Sequence, residues 1–248
     1  MLQSIATEHK SRPITAVFIQ EHQLHKRDRL RHIQRARAKQ MLLIISYGPI
    51  QNKRARNGRN TQVAYGGTAI IIPHSSLDRG QNESLDAARD RVSATMRRYS
   101  YGRTTTVKMK VEDVPLKLIS AYAPADGARG IDRPNYFKHL KTALTRNSVL
   151  GIDANCVHDT HLDLQRTATS PYSNSGIKEL EDALESAHLR DVAREQLGTR
   201  QYFTSDHVVT GGQHCKARLD RIYTPNCADM AWTFSICDDF FPLGIVRR

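Results

Sequence analysis

Five polar residues stand at or near the ends of apolar, strand-like runs: Glu21, Tyr122, Asp153, Asn155 and Asp220. A carboxylate at the rim of a sheet is costly to desolvate unless it meets a cation. Mg²⁺ favours one or two protein carboxylates, with water and substrate phosphate in its other positions, so Glu21 is a candidate metal ligand. Asp153 and Asn155 are two apart on a strand-like segment, which predicts side chains on the same side. The carboxylate suits a general acid or the orientation of a nucleophilic water, and the amide holds a phosphate oxygen without adding negative charge.

Tyr122 and Asp220 complete the set. The phenol of Tyr122 can donate to a phosphate oxygen, and a buried Asp220 needs a partner, for which a histidine is the natural choice. Each residue also has a plain structural interpretation. Glu21 would stabilise the first turn of a following helix, the Asp153 and Asn155 pair would close its strand with an Asx turn, and Tyr122 would only pack. Taken one at a time, these structural interpretations carry more weight, so the chemistry rests on the whole set.

An alternation of strands and helices has to position these residues. Apolar runs and helical spacing predict strands at 14–19, 41–46, 67–72, 94–101, 103–111, 116–122, 148–152, 218–223 and 231–237, and helices at 1–11, 25–40, 134–144 and 175–187. The segment 51–65 is predicted as a polar, basic loop, and 76–92 receives no assignment. No internal repeat or low-complexity linker interrupts the pattern, which favours one α/β domain over residues 1–248, with mixed sheets covered by helices.

The charge balance indicates a polyanionic partner. The 248 residues hold 37 lysines and arginines against 25 aspartates and glutamates, a net charge of +12 with a pI near 9.8. Such a surplus is typical of proteins that bind DNA, RNA or an anionic membrane surface. The segment 26–59 is strongly basic, and we identify Arg54, Arg56 and Arg59 within it, with Arg129 of the loop 124–130, as candidate nucleic-acid contacts. For the helical half of that segment, a solvated helix face is the alternative interpretation.

Cysteine spacing and hydropathy exclude other classes of protein. None of the four cysteines forms a C-x-x-C pair, so a zinc site is not indicated and reduced thiols are expected. No apolar run approaches the ~20 residues of a membrane-spanning helix, and the first residues lack the hydrophobic region of a secretory signal. We therefore expect a nuclear or cytoplasmic monomer that is not secreted and has no membrane partner.

Four short motifs in this order resemble the endonuclease/exonuclease/phosphatase superfamily: Q-E at 20–21, Y-A-P at 122–124, G-I-D-A-N at 151–155 and R-L-D at 218–220. The resemblance covers about residues 14–237 and is greatest to the endonuclease domains of LINE-type (non-LTR) retrotransposons and to abasic-site endonucleases. It implies a DNase I-like fold, a four-layer α/β sandwich of two packed mixed β-sheets flanked by helices. It also implies hydrolysis of DNA phosphodiesters with Mg²⁺ or Mn²⁺.

The resemblance assigns a role to each of the five residues. It implies that Glu21 binds the metal, Tyr122 contacts the phosphate, Asp153 and Asn155 act at the scissile phosphate, and Asp220 orients a catalytic histidine. Two features depart from the family: no asparagine-bearing strand precedes Q-E, and no histidine follows Asp220. We therefore expect that the first and last strands are missing.

The sequence S-D-H at 205–207 precedes R-L-D instead of following it, so we interpret His207 as an ordinary loop histidine. Because losing a general acid or base costs typically about 10²–10⁴-fold, weak or absent activity is expected. Two alternatives stay open. The chain is a non-catalytic nucleic-acid-binding remnant of a retroelement, or a phosphatase or phosphodiesterase of the same superfamily that acts on another phosphoester.

Overall fold

The computed structural model describes residues 2–11, 14–54, 60–125, 132–167, 172–209, 213–226, 232–237 and 241–247. The chain forms two compact units, Met1–Tyr122 and Ala123–Arg248. Within the described part of the chain, no helix combines the length and the apolar character needed to cross a membrane. The organisation of residues 1–248 as one domain stays a prediction.

The described residues of the first unit form three helices and eight strands. Its helices are α1 (Leu2–Ser11), α2 (Arg29–Ala38) and α3 (Leu85–Ala94). Its strands are β1 (Val17–Gln20), β2 (Met41–Ser46), β3 (Ile50–Arg54), β4 (Asn60–Ala64), β5 (Thr68–Pro73), β6 (Arg97–Tyr99), β7 (Thr104–Val111) and β8 (Val114–Tyr122). Short 3₁₀ turns lie at Lys26–Asp28, His74–Ser76 and Ser100–Gly102.

Two antiparallel sheets pack together in this unit. One has the order β1-β5-β2, and the other joins β6, β7 and β8. The central strand β5 is buried along its whole length, as a continuous apolar strand in the middle of a layered fold should be. Polar side chains connect the two sheets: Gln20 donates to Ser120 Oγ at 3.2 Å, and the hydroxyls of Thr68 and Thr105 lie 2.7 Å apart. These contacts fix the end of β1, from which Glu21 projects.

In the second unit, three helices and eight strands lie within the described ranges. Its helices are α4 (Arg133–Ala143), α5 (Ile177–Ser186) and α6 (Val192–Leu197). Its strands are β9 (Ser148–Asp153), β10 (Leu164–Arg166), β11 (Leu189–Asp191), β12 (Ser205–Val209), β13 (Gln213–Ala217), β14 (Asp220–Pro225), β15 (Trp232–Cys237) and β16 (Phe241–Arg247).

The ladder that carries the second unit's site has the order β11-β14-β9 and is antiparallel. A small sheet β10-β13-β12 and a hairpin β15-β16 accompany it. Helices α4 and α5 pack against each other, and Phe137 and Leu180 on their facing sides are fully buried. Asp132 caps α4 by accepting the N–H of Asn135 at 2.8 Å, so the helix begins at a defined residue.

The structure confirms an α/β fold with packed sheets and flanking helices, revises one local prediction and assigns one segment that the sequence left open. Segment 51–65 is not simply a loop, because β3 and β4 pair antiparallel from Ile50 with Ala64 to Arg54 with Asn60. A two-stranded ladder is held by backbone hydrogen bonds, so polar side chains do not exclude it. The unassigned segment 76–92 contains most of α3, which Ser84 caps by accepting the N–H of Ala87.

Candidate functional site

Glu21 begins the turn that follows β1. Its φ of 51° is left-handed, a conformation that costs a non-glycine residue about 1–2 kcal/mol. Its side chain is exposed, and within the described part of the chain no donor or cation meets the carboxylate. The helical interpretation is wrong, because the next 3₁₀ turn begins only at Lys26 and has His25 as its N-cap. Glu21 is therefore an exposed carboxylate on a turn of defined backbone conformation.

His22 and a pair of glycines hold this turn in place. His22 Nδ1 accepts the N–H of Leu24 at 3.0 Å, so Nε2 carries the proton and donates to Ser46 O at 2.9 Å. Burial lowers the pKa of His22, although the bond to Ser46 opposes that shift. Gly67, with φ of +89°, lies so close that a β-carbon there would approach His22 Cε1 to 2.5 Å. A neutral imidazole wedged against glycine thus fixes the backbone on both sides of Glu21.

Tyr122 ends β8 beside the same pair of glycines. Its N–H donates to Arg103 O at 2.8 Å, and the Arg103 guanidinium lies 5.0 Å from the centre of the phenol ring. A β-carbon on Gly66 would lie 3.5 Å from Tyr122 Cδ1, and Gly66 O accepts the N–H of Gln23 at 3.1 Å. The structure therefore brings Tyr122 and the turn of Glu21 together around Gly66 and Gly67. Sequence reasoning did not identify Arg103, because no spacing links it to Tyr122.

Asp153 ends β9 and starts a tight turn in the second unit. Its Oδ1 accepts the N–H of Asn155 at 3.0 Å, which is the Asx turn of the structural interpretation. Asn155 adopts a left-handed φ of 49°, so that turn, and not strand alternation, directs its amide. Asn155 Nδ2 donates to Ala123 O at 2.8 Å, while Ala123 N donates to Asp153 O at 2.8 Å. Asp153 and Asn155 are thus locked in one arrangement.

Asp220 pairs directly with Asp153 across the ladder of β14 and β9. Opposed residues of an antiparallel pair have β-carbons about 5 Å apart on one face of the sheet. Burial raises the pKa of Asp220, although Thr204 and Arg221 oppose that shift. Thr204 Oγ1 accepts the N–H groups of both Leu219 and Asp220 at 3.0 Å, which fixes the start of β14. The register thus places the carboxyl groups of Asp153 and Asp220 on one face of the ladder.

Two buried arginines lie in β14 or just before it. Arg218, the first residue of R-L-D, is fully buried and places Nη2 2.6 Å from both carboxylate oxygens of Asp191. Arg221 is almost as deeply buried, donates to Cys156 O at 2.9 Å and lies 3.5 Å from Asp163. Breaking a buried ion pair typically costs about 3–5 kcal/mol. Sequence reasoning missed this scaffold, because the arginines meet partners far away in the sequence.

Arg133 supports the Asx turn from α4. It is buried, and its Nη1 donates to the backbone carbonyl of Asn155. The bonds of Ala123 and Arg133 thus hold Asn155 by its side chain and its backbone. No sequence signal distinguished Arg133 from the other arginines of this basic chain.

The candidate nucleic-acid contacts are placed only in part. Arg54 ends β3 in register with Asn60, whereas Arg56, Arg59 and Arg129 lie outside the described residues.

The prediction that His207 lies in a loop is wrong, because it lies within β12 opposite Cys215. It is three residues beyond Thr204, the residue that binds the start of β14, and at ~3.4 Å per residue this is about 10 Å along the strand. A β-hairpin forms here because β12 and β13 satisfy each other's backbone groups.

No cluster of three or more histidine, cysteine, aspartate or glutamate side chains suited to a metal is found within the described ranges. Glu21 would therefore supply a single protein carboxylate to a cation. Mg²⁺ tolerates that arrangement, because water and substrate phosphate fill its other positions. The donor set thus fits Mg²⁺ and not a metal that needs a cage of protein ligands.

Comparison with solved structures gives matches over almost the entire chain. The endonuclease domain of TRAS1, a telomere-specific non-LTR retrotransposon, is 16% identical with a TM-score of 0.55, over 100% of this chain and 91% of that one. D. rerio TDP2 complexed with single strand DNA product is 14% identical with a TM-score of 0.53, over 94% and 80% of the two chains. An endonuclease/exonuclease/phosphatase family protein from Leptotrichia buccalis is 13% identical with a TM-score of 0.52, over 100% and 91%.

No protein-family model and no curated protein matches the sequence. The likeness is therefore one of three-dimensional structure, and it agrees with the order of the four motifs along the chain. The chain shares the DNase I-like α/β fold of these three solved structures.

Proposed function

We propose that this chain is a Mg²⁺-dependent phosphodiester hydrolase of the nuclease type that acts on DNA. The observation that carries the proposal is the pair of facing carboxyl groups, Asp153 and Asp220, with Asn155 locked beside them. Like charges opposite each other on a sheet are destabilising. A fold that keeps two of them at a strand end, and supports them with buried arginines, gains a site for proton transfer.

In the second unit, Asp153, Asp220 and Asn155 would each have a different role in hydrolysis. Asp153 would orient the attacking water and accept its proton as the new phosphorus–oxygen bond forms. Asp220, whose pKa burial raises, is the better proton holder and would supply the proton that the leaving oxygen takes up. The Asn155 side chain would contact a phosphate oxygen without adding negative charge.

Glu21 of the first unit would hold the metal, and the phenol O–H of Tyr122 would donate a hydrogen bond to a phosphate oxygen. The exposed Glu21 carboxylate, on a turn fixed by His22, suits a hard cation such as Mg²⁺ or Mn²⁺. When bound, that cation neutralises charge on the phosphate. The protein's own part is to hold Glu21 in a left-handed conformation that directs the carboxylate out of the strand.

DNA is the proposed substrate because of charge and of the nature of the structural neighbours. The net charge of +12 favours a polyanion, and TRAS1 is described as a retrotransposon endonuclease and TDP2 as bound to a DNA product. Arg54, Arg56, Arg59 and Arg129 are the proposed phosphate contacts. We further propose a monomer that acts in the nucleus or cytoplasm.

One observation favours a second candidate, a protein that binds nucleic acid without cleaving it. Asp220 has no hydrogen bond or ion pair with a histidine within the described part of the chain. The resemblance implies that such a histidine organises the reaction, so its absence would reduce turnover by about 10²–10⁴-fold. Weak cleavage and no cleavage are therefore the two outcomes to separate.

The test is nicking of supercoiled plasmid with Mg²⁺ and with EDTA, by the wild type and by Glu21→Gln. Glu185→Gln, which changes an exposed glutamate of α5, is the matched control. We expect Mg²⁺-dependent nicking that Glu21→Gln weakens and that Glu185→Gln leaves intact. Nicking that is unaffected by EDTA would contradict the metal's role. Salt-sensitive DNA binding without nicking would replace the hydrolase with the second candidate.

A further inference from the structure

Tyr101 is the most exposed large apolar side chain of the described residues, with 80% of its surface open to solvent. It lies in the 3₁₀ turn Ser100–Gly102 between β6 and β7. Both Ser100 (φ 50°) and Tyr101 (φ 54°) are left-handed. Two successive non-glycine residues in this conformation are strained, and such strain persists only where the surroundings enforce it.

Buried contacts on one side of the turn enforce it. Gly102 has φ of +84° and lies so close to β2's end that a β-carbon there would approach Tyr47 O to 2.3 Å. Thr68 Oγ1 donates to Gly102 O at 3.1 Å, and Arg103 N donates to Ser100 O at 3.1 Å. The turn is therefore anchored in the core, and the ring of Tyr101 is held outward in a fixed position.

Two exposed arginines, Arg97 and Arg98, precede this turn in β6. Their hydrogen bonds run to the backbone of Ala94 and Met96 and to the Met96 sulfur. Burial raises the pKa of Tyr47; the charges of Arg29 and Arg98 oppose that shift, and the charge of Asp28 adds to it. Arg29 at the start of α2 and Arg98 in β6 thus approach the same tyrosine from two elements.

Helix α2 and the residue after it carry further exposed cations: Arg31, Arg35, Arg37 and Lys39. None of them forms a salt bridge within the described ranges. An open tyrosine ring in a unit with many exposed arginines is complementary to a strand of nucleic acid, in which flat bases alternate with phosphates. The bases of a duplex are covered on both faces by their neighbours, so a ring of this kind stacks only on an unpaired base.

We propose that the turn Ser100–Gly102 is a stacking platform for an unpaired nucleotide, with Tyr101 as the ring and Arg98 and Arg29 as the contacts to its phosphates. The inference rests on the proposed function only for the identity of the anion as nucleic acid. It adds a preference for single-stranded or opened DNA, through residues that take no part in hydrolysis.

The test measures binding of the full chain in EDTA, so that cleavage plays no part. Fluorescence anisotropy follows a labelled thymidine oligonucleotide of roughly 15 nucleotides and a duplex of the same length. We expect Tyr101→Ala to weaken single-strand binding about tenfold, the loss typical of one stacked base, and to leave duplex binding unchanged. Tyr101→Phe is the matched control and should bind as the wild type, because it keeps the ring.

The arginine contacts are tested by salt dependence. Arg98→Ser should lower the slope of log affinity against log salt for the single strand by about 0.7, the value for one phosphate contact. Arg79→Ser, an exposed arginine in the loop before α3, should leave that slope unchanged. Equal losses on single strand and duplex, or no loss with Tyr101→Ala, would overturn the platform.

Vesicles rich in phosphatidylserine test whether the turn binds an anionic membrane surface in place of nucleic acid. Vesicle binding that Tyr101→Ala abolishes while single-strand binding persists would assign the turn to a membrane surface and overturn the proposal. The proposed hydrolase activity is tested separately, by plasmid nicking in Mg²⁺. Every binding measurement here is made in EDTA, so the two proposals can fail independently.

Discussion

Replacing Asp220 with asparagine should stabilise the protein at neutral pH. Asp220 faces Asp153 across the ladder of β14 and β9, with β-carbons about 5 Å apart. Two unit charges at that distance repel by about 3 kcal/mol at an effective dielectric constant of 20. Because Asp220 is partly open to solvent, we expect a gain of about 1–2 kcal/mol in the free energy of unfolding.

The gain should depend on pH in a defined direction. Burial raises the pKa of Asp220 in the folded protein above the ~3.9 of an unfolded chain. Between the two values the native state binds a proton that the unfolded state has lost, so the wild type loses stability as pH rises from about 4 through the folded-state pKa. The Asp220→Asn protein lacks this loss, so its advantage should be smallest at pH 4 and should grow as the pH rises through the folded-state pKa of Asp220.

Urea unfolding at a series of pH values from 4 to 7 measures this effect. Asp206→Asn is the matched control, because Asp206 is exposed in β12 and faces Lys216 at 3.5 Å. It should change the free energy of unfolding by less than about 1 kcal/mol, as surface ion pairs do. The reasoning is refuted if Asp220→Asn is no more stable than the wild type at pH 7, or if its advantage is the same at pH 4.

Three further predictions concern the supports of the site. Gly67→Ala should lower the free energy of unfolding in urea by about 2 kcal/mol or more, because a β-carbon there would lie 2.5 Å from a histidine ring. Gly80→Ala is the control: a β-carbon there has its nearest contact at 3.9 Å, so the free energy of unfolding should hardly change. Arg218→Lys should cost about 3 kcal/mol in the same assay, because lysine cannot make both bonds to Asp191; an unchanged midpoint would contradict the buried pair. Burial raises the pKa of the Cys156 thiol to about 11, so iodoacetamide at pH 8 should modify it only after unfolding, and site-resolved mass spectrometry showing rapid native labelling would argue against that burial.

The strands that the sequence predicts well are those with continuous apolar runs. β5 and β9 are buried along nearly all their length, so every side chain in them has to be apolar or small, and that requirement is visible in composition. The β3-β4 and β12-β13 hairpins lack such runs, because their ladders depend on backbone hydrogen bonds. Helix α3 escaped prediction because only a few of its residues, such as Ala88 and Val92, face the core.

The site shows the same division between local and distant information. Glu21, Tyr122 and Asp153 could be placed at strand ends because burial stops there and polarity begins, a change that is local in sequence. The pairing of Asp153 with Asp220 joins residues far apart in the chain, and only the register of the ladder determines it. The same holds for Arg133, whose bond to the turn after β9 spans 22 residues.

The rate of plasmid nicking by Asp153→Asn, relative to the wild type and to Asp206→Asn, tests the central claim most directly. Asparagine keeps an oxygen that can accept the N–H of Asn155, so the turn after β9 should persist while the charge is lost. We predict Mg²⁺-dependent nicking by the wild type and by Asp206→Asn, and a rate at least about 10²-fold lower for Asp153→Asn. Equal rates for all three proteins would contradict the assignment of hydrolysis to this pair of carboxyl groups.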